Sequence, residues 1–212
     1  MRKNSLIIGS NGSMGKRYQA IMAHLKQDCY LADIGTSNVE LARQIDASEN
    51  IIIATPTNTH FEMIKKSASR GKNILCEKPL SKDMKELVSM FDFIEASQCR
   101  FNMTMQYCEL FDPNSVGTSE YNYFRSGNDG LVWDCIQIVG LSKGKLVLQN
   151  MSPIWRCKIN GKRLNLGDMD MAYVNFVKKF LMKKENYNLD ELWRIHEKTA
   201  ILANAGEFSY AQ

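Results

Sequence analysis

"SLIIGSNGSMG", residues 5–15, runs from a short apolar segment straight into three glycines at every third position, Gly9, Gly12 and Gly15. Beyond it Met14, Tyr18, Ile21, Met22 and Leu25 recur at helical spacing, and "CYLADIG" (29–35) is a second apolar run that closes on Asp33. The order is strand, glycine turn, helix, strand, which makes a unit with a parallel crossover. A turn of this kind suits a diphosphate. The small residues of Gly9, Ser10, Asn11, Gly12, Ser13, Met14 and Gly15 let the backbone approach a ligand, and a helix start offers free N–H groups and a positive dipole end. Asp33 stands about 20 residues on, where an acid accepts from ribose hydroxyls. The pattern G-x-x-G-x-x-G has one residue more than the usual fingerprint, and the same residues also fit a plain tight turn with Asp33 capping a loop.

Downstream, "NIIIATP" (50–56) is an unbroken β-branched run, as a strand covered on both faces requires. "THFE" (59–62) has the form of a capping box for a helix that Gly71 terminates. "NILC" (73–76) repeats the buried-strand pattern, a helix opens at Ser81 with Met84, Leu87, Val88, Phe91 and Ile94 on one face, and "RFNMTMQY" (100–107) reads as another strand. Alternation of strand and helix over the first hundred residues indicates an α/β fold, a Rossmann-type doubly wound parallel sheet. Past Cys108 the texture changes to turn formers, a short apolar helix at "LVWDCIQIVGL" (131–141), three short antiparallel strands and two closing helices. The expected organisation is a dinucleotide-binding domain over 1–108 and a small α+β domain over 109–212.

With 212 residues and 44% hydrophobic content the chain supports one core and a small annex. A formal charge of +4, spread along the sequence, argues against a nucleic-acid surface. No stretch approaches the roughly 20 apolar residues of a membrane helix, and the N-terminus lacks the apolar core of a signal peptide, so the expected compartment is the cytoplasm. Six scattered cysteines without a C-x-x-C pair and three distant histidines favour reduced thiols and no metal site.

The stretch "IIIATPTNTHFEMIKKSASRGKNILCEKPLS" (51–81) resembles the signature region of the Gfo/Idh/MocA family: an apolar strand, A-T-P, N-x-x-H, a helix, another strand and then E-K-P. The resemblance covers about half of the chain and implies a pyridine-nucleotide oxidoreductase. It implies that Glu77 and Lys78 sit at the carboxyl end of a parallel strand beside the nicotinamide, that the Lys78-Pro79 bond is cis and aims the lysine into the site, and that Lys78 orients the substrate hydroxyl. It further implies that Thr55, Pro56, Asn58 and His60 line the cofactor pocket. Read alone, Lys78 would be a solvated surface lysine. The cofactor is then NAD or NADP. Asp33 repels a 2′-phosphate and favours NAD, a modest preference, because Thr36 and Ser37 could reorganise around a phosphate and no arginine is near.

Family members that oxidise sugars or cyclitols carry an aspartate and a base histidine, D-x-x-H or D-x-x-x-H, on a helix opening the second domain. Here Asp134 is present, but Gln137, or Ile138 at the longer spacing, stands where the histidine should be. Glutamine can hydrogen-bond but cannot pass on a proton near neutral pH. On a helix Asp134 and Gln137 would share one face and could position substrate. Asp134 could equally cap or pair within a buried helix. The expected function is hydride transfer at a hydroxyl or ketone of a sugar, nucleotide sugar or polyol. The alternative is a dinucleotide-binding regulatory or scaffold protein with little turnover. A short second sheet with open edges points to a homo-oligomer.

Overall fold

The computed structural model describes residues 4–68, 71–81, 83–104 and 169–183, positions 189 and 193, and the strand backbones at 120–126, 132–141, 144–151, 154–159 and 162–164. By packing, the chain divides into two compact units, Met1–Met105 with Tyr173–Leu192, and Gln106–Ala172 with Trp193–Gln212.

The first unit is built on five short strands: β1 (Ser5–Ile8), β2 (Cys29–Ala32), β3 (Asn50–Ile53), β4 (Asn73–Cys76) and β5 (Arg100–Met103). They form one parallel sheet in the order β2-β1-β3-β4-β5. Leu6, Ile7, Ile51, Ile52, Ile53, Ile74 and Leu75 are fully buried. Adjacent strand residues point to opposite faces, so an unbroken buried run means that both faces are covered, and this is why β1, β3 and β4 read as solid apolar segments. Four helices alternate with the strands: α1 (Ser13–His24), α2 (Asn38–Ala47), α3 (His60–Ala68) and α4 (Met84–Ser97). Ser37 caps α2 and Asp83 caps α4, each side chain accepting from the backbone N–H three residues on. The α4 helix therefore opens three residues after Ser81, the start expected from the sequence.

The capping box at Thr59 does not form. The chain enters α3 through a 3-10 turn over Thr57–Thr59, and the Thr59 hydroxyl donates to the Pro56 carbonyl at 2.7 Å. Glu62 instead pairs with Lys65 and Lys66 on the helix surface. The Pro56 carbonyl thus accepts from both the N–H and the hydroxyl of Thr59, which draws that hydroxyl away from the cap position.

The second unit contains β6 (Glu120–Ser126), β7 (Val132–Leu141), β8 (Gly144–Met151), β9 (Ile154–Ile159) and β10 (Lys162–Leu164), each antiparallel to the next. Three short antiparallel strands are expected here from the sequence, and five are found among the described residues. The segment read as a short helix is β7, the longest strand, paired to β6 on one side and β8 on the other. Val132, Ile136, Ile138 and Val139 are β-branched and fit a central strand. The helix-face argument for Asp134 and Gln137 lapses with this correction, because strand positions an odd number apart belong to opposite faces. Their side chains lie outside the described residues, as do the boundary expected near Cys108 and most of the closing helix with His196.

A last described helix, α5 (Met169–Leu181), follows β10, and its residues from Tyr173 onward pack with the first unit. Tyr173, Phe176, Val177 and Phe180 are buried, and the Asn73 amide donates to the Phe180 carbonyl at 3.2 Å. A sequence partition at Cys108 does not foresee this return.

Candidate active site

Strand order reverses beside β1, since β2 lies on one side of it and β3 on the other. In open parallel sheets that point, at the carboxyl ends of the strands, opens a crevice for ligands. Three loops meet there: the glycine turn after β1, the loop after β3 and the E-K-P segment after β4.

The glycine turn is dictated by contact. Gly9 has φ +87°, and a Cβ there would sit 2.7 Å from the Ala54 carbonyl carbon and oxygen. A Cβ on Gly15 would fall 2.1 Å from the Gly9 carbonyl oxygen. Gly12 is different, for its added Cβ would meet nothing closer than 3.5 Å. The first and third glycines are thus required by the protein's own backbone, whereas a side chain at the second would make only ordinary van der Waals contact, in an exposed loop of Asn11, Gly12 and Ser13. Gly12 is the N-cap of α1, with no side-chain cap and no acid in the first turn, so N–H groups at the helix start are left for an anion. Ser10 is buried, Met14 is half-buried, and the Ser10 carbonyl accepts from the Gln19 amide at 2.7 Å.

Asp33 reaches across to this turn. One carboxylate oxygen accepts from the Asn11 N–H at 2.6 Å and the other from the Ile34 N–H at 2.7 Å, while the Asp33 N–H donates to the Thr36 hydroxyl at 3.0 Å. Each carboxylate oxygen keeps a lone pair for a ribose hydroxyl.

After β3, Pro56 and Asn58 are exposed and Thr55 is half-buried. The Thr55 hydroxyl oxygen is buried and has no hydrogen-bond partner. His60 is not at the surface of this crevice. It is 1% exposed, with Nε2 2.9 Å from the Thr55 carbonyl and Nδ1 3.1 Å from the Pro79 carbonyl. The ring thereby staples the loop after β3 to the loop after β4. Burial pushes its pKa below the usual 6.5, against the opposing pull of the two carbonyls and Glu77.

The Lys78-Pro79 bond is cis. Lys78 is half-buried, and its N–H donates to the Glu77 carboxylate at 3.2 Å. Glu77 itself is only 8% exposed. Its other oxygen accepts from the Tyr18 hydroxyl at 2.5 Å, and the Tyr18 oxygen lies 2.8 Å from the Thr104 hydroxyl. Tyr18 and Thr104 were not singled out by the sequence as site residues, because Tyr18 falls on the apolar face of α1. One signal was present: a phenol at a fully buried helix position requires a polar partner. Burial, followed by the Glu77 carboxylate, holds that phenol well above its ordinary range, so it remains a donor. The Cys76 thiol, next to Glu77 in the chain, is likewise pushed up by burial. Among the described residues no cluster of His, Cys, Asp and Glu could hold a metal ion, and no helix is long and apolar enough to cross a membrane.

Residues 35–105 match the Gfo/Idh/MocA profile, whose description is an oxidoreductase family with an NAD-binding Rossmann fold. The chain is 33% identical over 150 residues to inositol 2-dehydrogenase of Rhizobium meliloti (strain 1021), covering 69% of this chain and 39% of that protein. It is 28% identical over 145 residues to glucose-6-phosphate 3-dehydrogenase of Bacillus subtilis (strain 168), covering 68% of this chain and 39% of the relative. The aligned region thus spans about two fifths of the length of these curated relatives. The crystal structure of the WlbA dehydrogenase from Thermus thermophilus, in complex with NAD and UDP-GlcNAcA, superposes with a TM-score of 0.62 at 12% identity, covering 95% of this chain and 94% of that one, and shares the fold. Through its NAD-binding Rossmann unit, the chain belongs to the Gfo/Idh/MocA oxidoreductase family.

Proposed function

We propose that the chain binds a nicotinamide dinucleotide in the crevice between β1 and β3 and serves hydride transfer at a hydroxyl or ketone carbon of a sugar, nucleotide sugar or polyol. The observation that carries this reading is the glycine turn, in which Gly9 and Gly15 are closed by the protein's own backbone while Gly12 leaves room over an uncapped helix start. The group fits on two further counts. The Thr55 hydroxyl is a buried polar atom awaiting a partner, and the Asp33 carboxylate is held where it can accept from a ribose. Asp33 also favours NAD over NADP through its repulsion of a 2′-phosphate.

When bound, the nicotinamide supplies the carbon that accepts or donates the hydride. Lys78 donates from its ammonium to the substrate oxygen, orients it and stabilises the charge that develops there. The hydroxyl proton leaves to Asp134, to a bound water or within the substrate itself. Inositol and glucose 6-phosphate, in the names of the relatives, motivate the substrate class. Among the described residues the antiparallel sheet of the second unit ends in β6 and β10, which offer edges for pairing with another copy.

The test is a fluorescence titration with NADH and NADPH, followed by a screen of sugars, polyols and nucleotide sugars. Saturable binding, tighter for NADH, followed by turnover on a member of the screen is the expected result. Folded protein that ignores both coenzymes at millimolar concentration overturns the reading, and binding without turnover on any of these substrates overturns its catalytic half.

A further inference from the structure

We propose that Tyr18 is a positioning residue for Lys78, acting through the buried carboxylate of Glu77; the inference rests on the reading of Lys78 as the group that meets the substrate oxygen. The geometry carries it. Glu77 follows directly on β4 and is 8% exposed, and a carboxylate so placed needs donors to offset its lost hydration. It receives two. Oε1 accepts from the Tyr18 hydroxyl at 2.5 Å, and Oε2 accepts from the backbone N–H of Lys78 at 3.2 Å. The carboxylate thus spans from a helix to the very peptide unit from which the Lys78 side chain departs.

The link has a direction. With the phenol proton committed to the carboxylate, the Thr104 hydroxyl is the donor in the 2.8 Å contact with Tyr18, and it shares its one proton between the phenol oxygen and the Cys76 carbonyl, 3.3 Å away. Thr104 is itself anchored, since its N–H donates to the Cys76 carbonyl at 3.0 Å. Chains of this kind polarise one another, which strengthens the bond to Glu77. Three separated parts of the fold, α1, the end of β4 and the end of β5, are joined in one hydrogen-bonded chain that ends on this carboxylate.

Packing alone does not call for this arrangement. A phenylalanine would fill the place of Tyr18, which is 0% exposed, and a leucine could fill that of Glu77 without any buried charge. What the polar pair adds is orientation. Tyr18 lies on α1, the helix that begins in the glycine turn, so a single rigid element carries both the anion-binding end of the crevice and the support of the lysine at its other end.

The experiment reads the amine itself in the full chain without dinucleotide. Trace acetic anhydride labels lysines in proportion to reactivity, mass spectrometry quantifies Lys78, and the exposed Lys16 and Lys85 serve as internal references. Tyr18→Phe and Glu77→Gln are each expected to change the Lys78 rate by about threefold or more, the lower range for contacting residues, while the double variant matches the singles. A merely structural role would shift stability without that non-additive signature. An unchanged Lys78 rate in folded Tyr18→Phe, or effects that add in the double variant, overturns the proposal. Should Tyr18→Phe fail to fold, Thr104→Val against Thr104→Ser reads the same link: a changed rate with valine and not with serine supports it, and equal rates overturn it. A parallel NADH titration separates the two readings. NADH binding by the wild type with an unmoved Lys78 in the variants sinks the positioning role alone, whereas a wild type that ignores both coenzymes, with a shifted Lys78 in the variants, sinks the dinucleotide reading and leaves the Tyr18 coupling standing.

Discussion

At the level of single residues, the three glycines of the turn predict two different outcomes. Gly9→Ala combines a positive φ of 87° with a Cβ 2.7 Å from backbone atoms of Ala54, and neither can give way. Such a change should cost about 2–4 kcal/mol, read as a shifted denaturation midpoint. Gly15→Ala should behave alike, since the Gly9 carbonyl blocks it at 2.1 Å. Gly12→Ala meets only ordinary contacts within the protein, so stability should change by no more than about 1 kcal/mol, the scale of an N-cap substitution. On the proposed reading the added methyl stands at the diphosphate site, and NADH affinity should fall at least about tenfold, roughly 1.4 kcal/mol. Equal loss of stability in all three variants would mean that the turn is only a turn. Lys78→Ala should abolish turnover and leave NADH affinity nearly intact, and unaltered turnover would remove the lysine from the chemistry. The pattern of glycines is visible in the sequence, but which glycine serves the fold and which the ligand is not, because that is decided by the backbone of Ala54 folded against Gly9 and by the Gly9 carbonyl turned towards Gly15. The same holds for Tyr18, whose hydroxyl partner follows another strand altogether.

At the level of elements, the loops after β3 and β4 are joined by one imidazole, and this makes their union depend on pH. His60 faces two carbonyls, and a neutral ring has only one N–H to give, yet burial disfavours the charged form and lowers its pKa below 6.5. The unfolded chain therefore takes up a proton at His60 more readily than the native one. The stability linked to this group is complete above the unfolded value and drains away as pH falls through it towards the depressed native value. His60→Gln retains one donor and should cost about 1–3 kcal/mol near neutral pH. The gap in melting temperature between wild type and variant should narrow between about pH 7.5 and about pH 5. A gap that widens on acidification would show that the native ring is charged. Elements differ in how far local sequence reveals them. β1, β3 and β4 are legible because a strand covered on both faces must be apolar throughout, as Ile51, Ile52 and Ile53 are. β7 is not, since Trp133, Ile136, Ile138 and Val139 satisfy helical and extended periods alike, and its partners β6 and β8 settle the matter from a distance.

At the level of the whole molecule, the first unit is not closed by the first hundred residues. Tyr173, Phe176, Val177 and Phe180 return to it and are buried, the Arg17 guanidinium lies 4.8 Å over the Tyr173 ring, and Arg100 donates to the Lys183 carbonyl at 2.8 Å. Lys183 also pairs with Glu49, and the Asn73 amide holds the Phe180 carbonyl. No local pattern announces such a return, because an amphipathic helix does not say which core it will cover. Its consequence can be separated from the chemistry. Phe180 docks by Asn73, at the start of β4, while Glu77 and Lys78 follow the strand's other end. Phe180→Ala removes a fully buried ring and should cost about 3–5 kcal/mol in unfolding free energy. A ligand bound only by the native state adds about 2.7 kcal/mol at a concentration of 100 Kd, whatever the starting stability. Wild type and Phe180→Ala should therefore show the same NADH dissociation constant and gain the same increment from NADH, measured by chemical denaturation at saturating ligand. If the variant binds NADH more weakly in proportion to its lost stability, then α5 supports the crevice as well as the core.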